Sequence, residues 1–290
     1  MTRAVATVAL VTLLGLGVAQ NAHASAIVLD AGMFDQFQFP PSDDASTDAT
    51  PGFDLNVFGT THTGLFLNNN GNITFDAPYL SFNPTTGLVD NGVPMIAPFL
   101  ADVDYSYAET LDPTYDGGSL TFGTGTFGGR NAWGATWLGV DYFRSYDHLD
   151  GAPHTNRNSF QVLLVDRSSD TGAGNFDIIL NYDSITWESG EVFDGNGLVS
   201  GAGGVGGPNC ARVGFTNGVD TSLELAGSGA CGSLLDGGLN ALSTNSNVGI
   251  NGRYIFASRG GEITPVPEPA TLSLLGLGVA GLVRARRRAR

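Results

Sequence analysis

The stretch Leu65-Phe66-Leu67-Asn68-Asn69-Asn70-Gly71-Asn72-Ile73-Thr74-Phe75 decides the fold. Leu65 and Leu67 recur with period two before it turns, and Ile73 and Phe75 recur with period two after it. That spacing puts each pair on one face of an extended strand. Between them stand asparagines and a glycine, residues that tolerate positive φ. The segment therefore reads as a β-hairpin from Leu65 to Phe75.

Outward from it the same grammar repeats. Upstream, Leu55-Asn56-Val57-Phe58 alternates, and His62 to Asn68 alternates weakly. Ala31 to Pro51 is polar and proline-containing, and reads as a loop or loose lead-in, so residues 25–52 are set apart from a β domain over 53–262. Downstream, Met95 to Leu100 is apolar, but Pro94 and Pro98 argue for an edge or irregular strand. Strands are expected at Ser119–Thr124, Trp133–Phe143, Ser159–Asp166, Asn175–Tyr182, Arg212–Phe215 and Tyr254–Phe256, with Ile185 and Trp187 continuing the pattern. Asp170 to Gly174 reads as a turn and the glycine-rich Asp194–Pro208 as a mobile loop. Ser233 to Leu242 offers a short helix that its two glycines weaken. Short strands, 42 glycines and almost no helical periodicity predict an all-β chain, an antiparallel β-sandwich in one domain with long Gly-rich loops.

The two ends read differently. Arg3, the apolar run Ala4–Val18 and the small-x-small site Ala22-His23-Ala24 make 1–24 a secretory signal peptide, with Ala22 and Ala24 marking cleavage. At the other end, Val266-Pro267-Glu268-Pro269-Ala270 cannot sit in a helix interior or a central strand. An uncharged apolar run, Thr271 to Val283, follows, and then five arginines. The run is shorter than the ~20 residues of a full membrane span, and the arginines favour the cytoplasmic side. A short C-terminal membrane helix acting as a weak, transient inner-membrane anchor is the expectation, with an ordinary single-pass anchor as the alternative.

All 13 basic side chains are arginine, and between the two ends stand seven arginines against 27 acidic residues, a net charge of −20. Such a surface repels nucleic acid and anionic lipid, and favours solubility and divalent cations. Cys210 and Cys231 are the chain's two cysteines. In an exported body they read as one disulfide closing a glycine-rich loop, ahead of a metal pair or a catalytic thiol.

The tail resembles the sorting signal of bacterial PEP-CTERM proteins in the order of its three parts: Pro267-Glu268-Pro269, a short apolar helix and an arginine cluster, over residues 263–290. The resemblance implies processing by an exosortase, a membrane-embedded enzyme, in a Gram-negative bacterium that makes extracellular polysaccharide.

The body resembles the nidogen-like (NIDO) extracellular domain. The phrases that carry this are Phe58-Gly59-Thr60-Thr61, Leu67 to Phe75, and Ile96-Ala97-Pro98-Phe99-Leu100-Ala101-Asp102-Val103-Asp104. They continue with Asn158-Ser159-Phe160-Gln161, Asn181-Tyr182 with Ile185 and Trp187, Ala211 to Phe215, and Ser246 to Gly249 with Gly252-Arg253. They run in family order across about Asp54 to Phe256. The family usually has Trp where Leu100 stands and Pro where Asn251 stands. Because the domain occurs in basement-membrane nidogen, tectorin and a membrane mucin, the resemblance implies adhesion or assembly and brings no catalytic residue.

For chemistry, Asp102 and Asp104 lie at i and i+2, so on a strand both carboxylates face one way. Like charges side by side repel unless a cation or donors join them, and calcium takes several such oxygens. The alternative is that they cap a turn through backbone N–H groups. His148 and His154, beside Asp147 and Asp150, offer a weak zinc site. Gly227-Ser228-Gly229 lacks the spacing of a serine-hydrolase elbow. Trp133, Trp137 and Trp187 could stack on sugars, but strand aromatics usually pack inward.

The sequence thus predicts an exported, non-enzymatic cell-surface or extracellular-matrix protein acting in adhesion or matrix assembly. Its expected partners are an exosortase, extracellular polysaccharide or surface proteins, and the inner membrane transiently, with no nucleic acid. No cofactor is expected beyond calcium. A secreted hydrolase acting on extracellular polysaccharide is the alternative.

Overall fold

A computed structural model describes residues 25–82, 84, 87–89, 91–106, 118–143, 156–190 and 210–266. Its strands, numbered along the chain, begin with β1 (Phe37–Gln38), β2 (Ser46–Ala49), β3 (Leu55–Val57), β4 (Thr60–His62), β5 (Leu65–Asn68), β6 (Asn72–Thr74) and β7 (Met95–Leu100). They continue with β8 (Ser119–Phe127), β9 (Arg130–Val140), β10 (Asn158–Asp166), β11 (Phe176–Ser184), β12 (Arg212–Thr216), β13 (Ser222–Glu224), β14 (Arg253–Arg259) and β15 (Glu262–Pro265). A single helical turn, α1 (Ser168–Thr171), joins β10 to β11.

Two antiparallel sheets face each other. One has the order β1-β8-β9-β10-β11-β14-β15, the other β13-β12-β7-β6-β5-β2, and β3-β4 forms a separate hairpin. The hairpin read from Leu65 to Phe75 is present, with Leu67 opposite Ile73 and Asn68 opposite Asn72.

Strand β10 shows how the sequence builds the layers. Phe160, Val162 and Leu164 point into the core between the sheets. Leu163 and Val165, on the other face, join Ile179 and Ala132 in a small cluster closed by Phe34. The strand is covered on both sides, which explains why it reads as a continuous apolar run rather than an alternating one. Burying each of these side chains stabilises the fold by about 1.5–3 kcal/mol.

Aromatic rings tie the sheets together. Phe99 of β7 lies 5.3 Å from Phe160 of β10 and 5.7 Å from Trp187, between ring centroids. Phe215 of β12 lies 4.7 Å from Phe256 of β14. Trp133, Trp137 and Trp187 are all buried, so they are core and do not present a sugar platform. Their polar edges are satisfied where the core requires it: the Trp137 Nε1 donates to Asn69 O at 2.8 Å and the Trp187 Nε1 to Val140 O at 3.1 Å.

Four sequence expectations need correction. The segment read as a lead-in contributes β1 and β2, and buries Phe34 and Phe39. It looked loose because each of its strands is short and its apolar residues are isolated among polar ones. Strand β7 is central, between β6 and β12, and only its irregularity was anticipated. Pro98 is tolerated there because it falls at a register shift: Arg212 pairs with Leu100 and Gly214 with Ala97, so two residues of β12 span three of β7. Ser233 to Leu242 forms turns rather than a helix. The sheet also continues past 262, through β15, to Pro265. The expected loop at Asp194–Pro208 lies outside the described residues. Among the described residues, no helix is long and apolar enough to cross a membrane.

Candidate functional site

The turn of the β5–β6 hairpin is buried rather than exposed: Asn68, Asn69, Asn70 and Asn72 are all sealed from solvent. Gly71 makes this possible. Its φ is 71°, and an added Cβ would lie 1.8 Å from the Phe99 carbonyl oxygen. No side chain fits, and the backbone closes up so that Phe99 N donates to Gly71 O at 3.0 Å.

The two central asparagines then hold two distant loops. Asn69 accepts from Ala45 N at 2.8 Å, and its Nδ2 donates to Ser42 O at 3.3 Å and to Val103 O at 2.7 Å. Asn70 accepts from Val103 N at 2.9 Å, and its Nδ2 donates to Asp44 Oδ1 at 2.7 Å. Residues 42–45 and 101–103 are thereby pinned against one turn. Each loop carries aspartates.

The carboxylates of Asp43, Asp44 and Asp102 converge there, with one oxygen from each lying within 4.8 Å of the others. Asp102 is only 3% exposed. Its Oδ2 and the Oδ1 of Asp43 are buried and have no hydrogen-bond partner among the described residues. Gly190 closes the wall behind Asp102, since a Cβ at that position would sit 2.2 Å from Oδ2. Asp43, Asp44, Asp102, Phe82 and Phe143 line a cavity of about 230 Å³.

Electrostatics follow from this crowding. Burial, with the Asp43, Asp44 and Asp104 carboxylates adding to it, pushes the Asp102 carboxyl up to about 8. Burial followed by Asp104 and Asp44 raises Asp43 to about 7. Asp44 is raised by burial, and the donated hydrogen bond from Asn70 partly offsets this.

The sequence paired Asp102 with Asp104; the structure groups Asp102 with Asp43 and Asp44 instead. The strand β7 ends at Leu100, so the i, i+2 geometry of a strand does not carry through to 104. The Asp104 Oδ1 accepts from Ser106 N at 2.8 Å, capping a turn, while its charge still bears on the other carboxylates.

The group is poorly shaped for glycoside hydrolysis. Catalytic carboxyl pairs stand about 5–9.5 Å apart around a bound sugar. Such a pair must reach the sugar, and here the most perturbed carboxyl, Asp102, is also the most deeply buried of the three. Nor does Ser228 offer a nucleophile: its hydroxyl accepts from Val213 N and donates to Val213 O, each at 3.1 Å. His148 and His154 lie outside the described residues, as do Ala22, Ala24 and the sorting residues Pro267 to Ala270. Val266, where the described chain ends, donates its N–H to Ile255 O at 3.0 Å.

Cys210 and Cys231 form the disulfide, with Cα atoms 5.2 Å apart. Beside it lies a buried carboxylate that sequence reading missed. Glu188 accepts from Gly232 N at 2.6 Å and from Leu234 N at 2.8 Å. These bonds curl 232–234 inward, which is why that segment turns instead of winding into a helix. The one sequence signal for the asparagine clamp was the run of three asparagines before Gly71, more than a two-residue turn requires.

Two facing antiparallel sheets, with the asparagine-clamped turn between them, define a β-sandwich module. The nidogen-like domain model matches residues 63–260, and the chain belongs to that family. A second match, to the PEP-CTERM protein-sorting motif, covers residues 265–288. Together they make the chain an exported, exosortase-sorted extracellular or surface protein.

Among curated proteins it is similar to alpha-tectorin of Mus musculus, 28% identical over 236 residues, covering 78% of this chain and 10% of that protein. Alpha-tectorin of Gallus gallus is 28% identical over 226 residues, covering 76% and 10% respectively. The chain thus spans about a tenth of the length of these relatives. No solved structure matches it significantly.

Proposed function

We propose that the chain is a non-enzymatic adhesion or matrix-assembly module, which binds extracellular polysaccharide or another surface protein. In this reading residues 1–24 direct export and are removed after Ala24. The apolar run Thr271–Val283 holds the body briefly at the inner membrane, and cleavage near Pro267-Glu268-Pro269 releases it to the cell surface or matrix. One observation carries the reading: a nidogen-like domain and a PEP-CTERM motif share a single chain, over 63–260 and 265–288. The depth at which Asp102 is buried, out of reach of a sugar, supports a binding role over the hydrolase alternative.

The test is co-sedimentation of the exported protein with polysaccharide and surface proteins of an exosortase-bearing, polysaccharide-producing host. Saturable recovery with either is expected. Recovery with neither, or release of reducing sugar from the polysaccharide, would overturn the proposal.

A further inference from the structure

Three carboxylates that meet in a walled pocket need a counter-charge or donors, and the described residues supply few donors here. Asn70 gives one bond, to Asp44. Asp102 is only 3% exposed and its carboxylate is part of the group, while its Oδ2, packed against Gly190, has no hydrogen-bond partner among the described residues. A buried acceptor left unmatched costs about 1–3 kcal/mol, and more if it is charged. Folds keep such a group where a ligand completes it.

The donor set narrows the ligand. Among the described residues the cluster is all oxygen, with neither His nor Cys, which suits a hard cation rather than zinc or copper. Calcium accepts irregular sets of six to eight oxygens, whereas magnesium demands a near-ideal octahedron and keeps its waters. The two loops are also held in place without any ion, because Asn69 and Asn70 fix Ala45, Asp44 and Val103 to the hairpin turn. The site is therefore organised before a cation arrives.

We propose that Asp43, Asp44 and Asp102 form a calcium site that fastens the chain before β2 to the chain after β7. This goes beyond the adhesion reading and does not depend on it.

The test uses the purified full chain, stripped with EDTA and titrated with CaCl₂ by calorimetry and thermal melting. Saturable binding at about 10⁻⁵–10⁻³ M is expected. At roughly a hundredfold excess over Kd, the melting temperature should rise by about 5–10 °C. Asp102→Asn should lose both responses, yet melt in EDTA at or above the wild-type chain in EDTA, because a neutral amide replaces a buried acid whose ionisation the fold opposes. Should that variant fail to fold, the half-buried Asp43→Asn provides the same comparison. Asp30→Asn, an exposed acid elsewhere, should bind calcium normally.

Absence of saturable binding in the wild-type chain would overturn the proposal, as would retention of binding by Asp102→Asn or Asp43→Asn. An equal rise with MgCl₂ in wild type and Asp102→Asn would also overturn it, by showing general screening of an acidic surface.

Discussion

Two buried polar clusters in this sandwich are built on opposite plans. On the outer face of the seven-stranded sheet, Gln161 makes every bond its amide allows. Its Oε1 accepts from Val28 N at 3.1 Å and Asn181 Nδ2 at 2.9 Å, while its Nε2 donates to Val28 O at 2.9 Å and Thr136 Oγ1 at 2.8 Å. Asn181 in turn accepts from Arg253 Nε, and Arg253 Nη2 reaches Ala26 O. Donors and acceptors match. At Asp43, Asp44 and Asp102, acceptors face acceptors. The first cluster is complete as protein alone and fixes the N-terminal segment over the sheet; the second is complete only with something positive added. Buried polarity by itself says nothing about function, whereas its satisfaction does.

The contrast can be broken from either side. The largest effect is expected at the matched cluster. Gln161→Ala strands Asn181, Thr136 and the Val28 backbone, and should cost roughly 3–4 kcal/mol in urea unfolding, with calcium making no difference to the loss. Removing the disulfide, as Cys210→Ser with Cys231→Ser, should cost about 3 kcal/mol through loss of loop closure. Glu188 offers a closer comparison with Asp102, since both are buried carboxylates but Glu188 has backbone donors. Glu188→Ala should cost about 2 kcal/mol, again independent of calcium. Asp102→Asn, by contrast, should be neutral or stabilising without the ion.

The smallest effect is the pH trend of the metal-free chain. Asp43 and Asp102 titrate near 7 and 8 in the folded state, above their ordinary range. The folded state therefore binds protons more tightly there than the unfolded chain. That contribution to stability is whole below the ordinary aspartate range and is lost as pH rises through 7 and 8. In EDTA the melting temperature should fall by a few degrees between pH 5.5 and 8.5, and calcium should remove the fall. A melting temperature that rises over that window in EDTA would contradict the carboxylate assignment.

What the sequence disclosed follows from the range of the interactions. The hairpin at Leu65–Phe75 and the strand at Ser159–Asp166 were legible because period-two alternation and turn chemistry are local. The cysteine pair was legible because two cysteines in an exported chain leave one pairing. One of the cluster's three carboxylates, Asp102, was visible; Asp43 and Asp44 were not. They reach it from a segment that looks like a polar loop, carried there by side-chain bonds from Asn69 and Asn70 that no periodicity announces. Glu188 was hidden for the same reason: its donors, Gly232 and Leu234, are far along the chain and contribute backbone only.

The aspartate cluster is a cation site and not a misfit of charge, and this can be seen directly. The most direct measurement is an anomalous difference map from crystals of the protein grown in calcium, with data collected where calcium scatters anomalously. A peak among the carboxylates of Asp43, Asp44 and Asp102, at roughly 2.3–2.6 Å from their oxygens, is the expected result. A map without that peak, showing the Asp102 carboxyl hydrogen-bonded to a neighbouring aspartate, would contradict it.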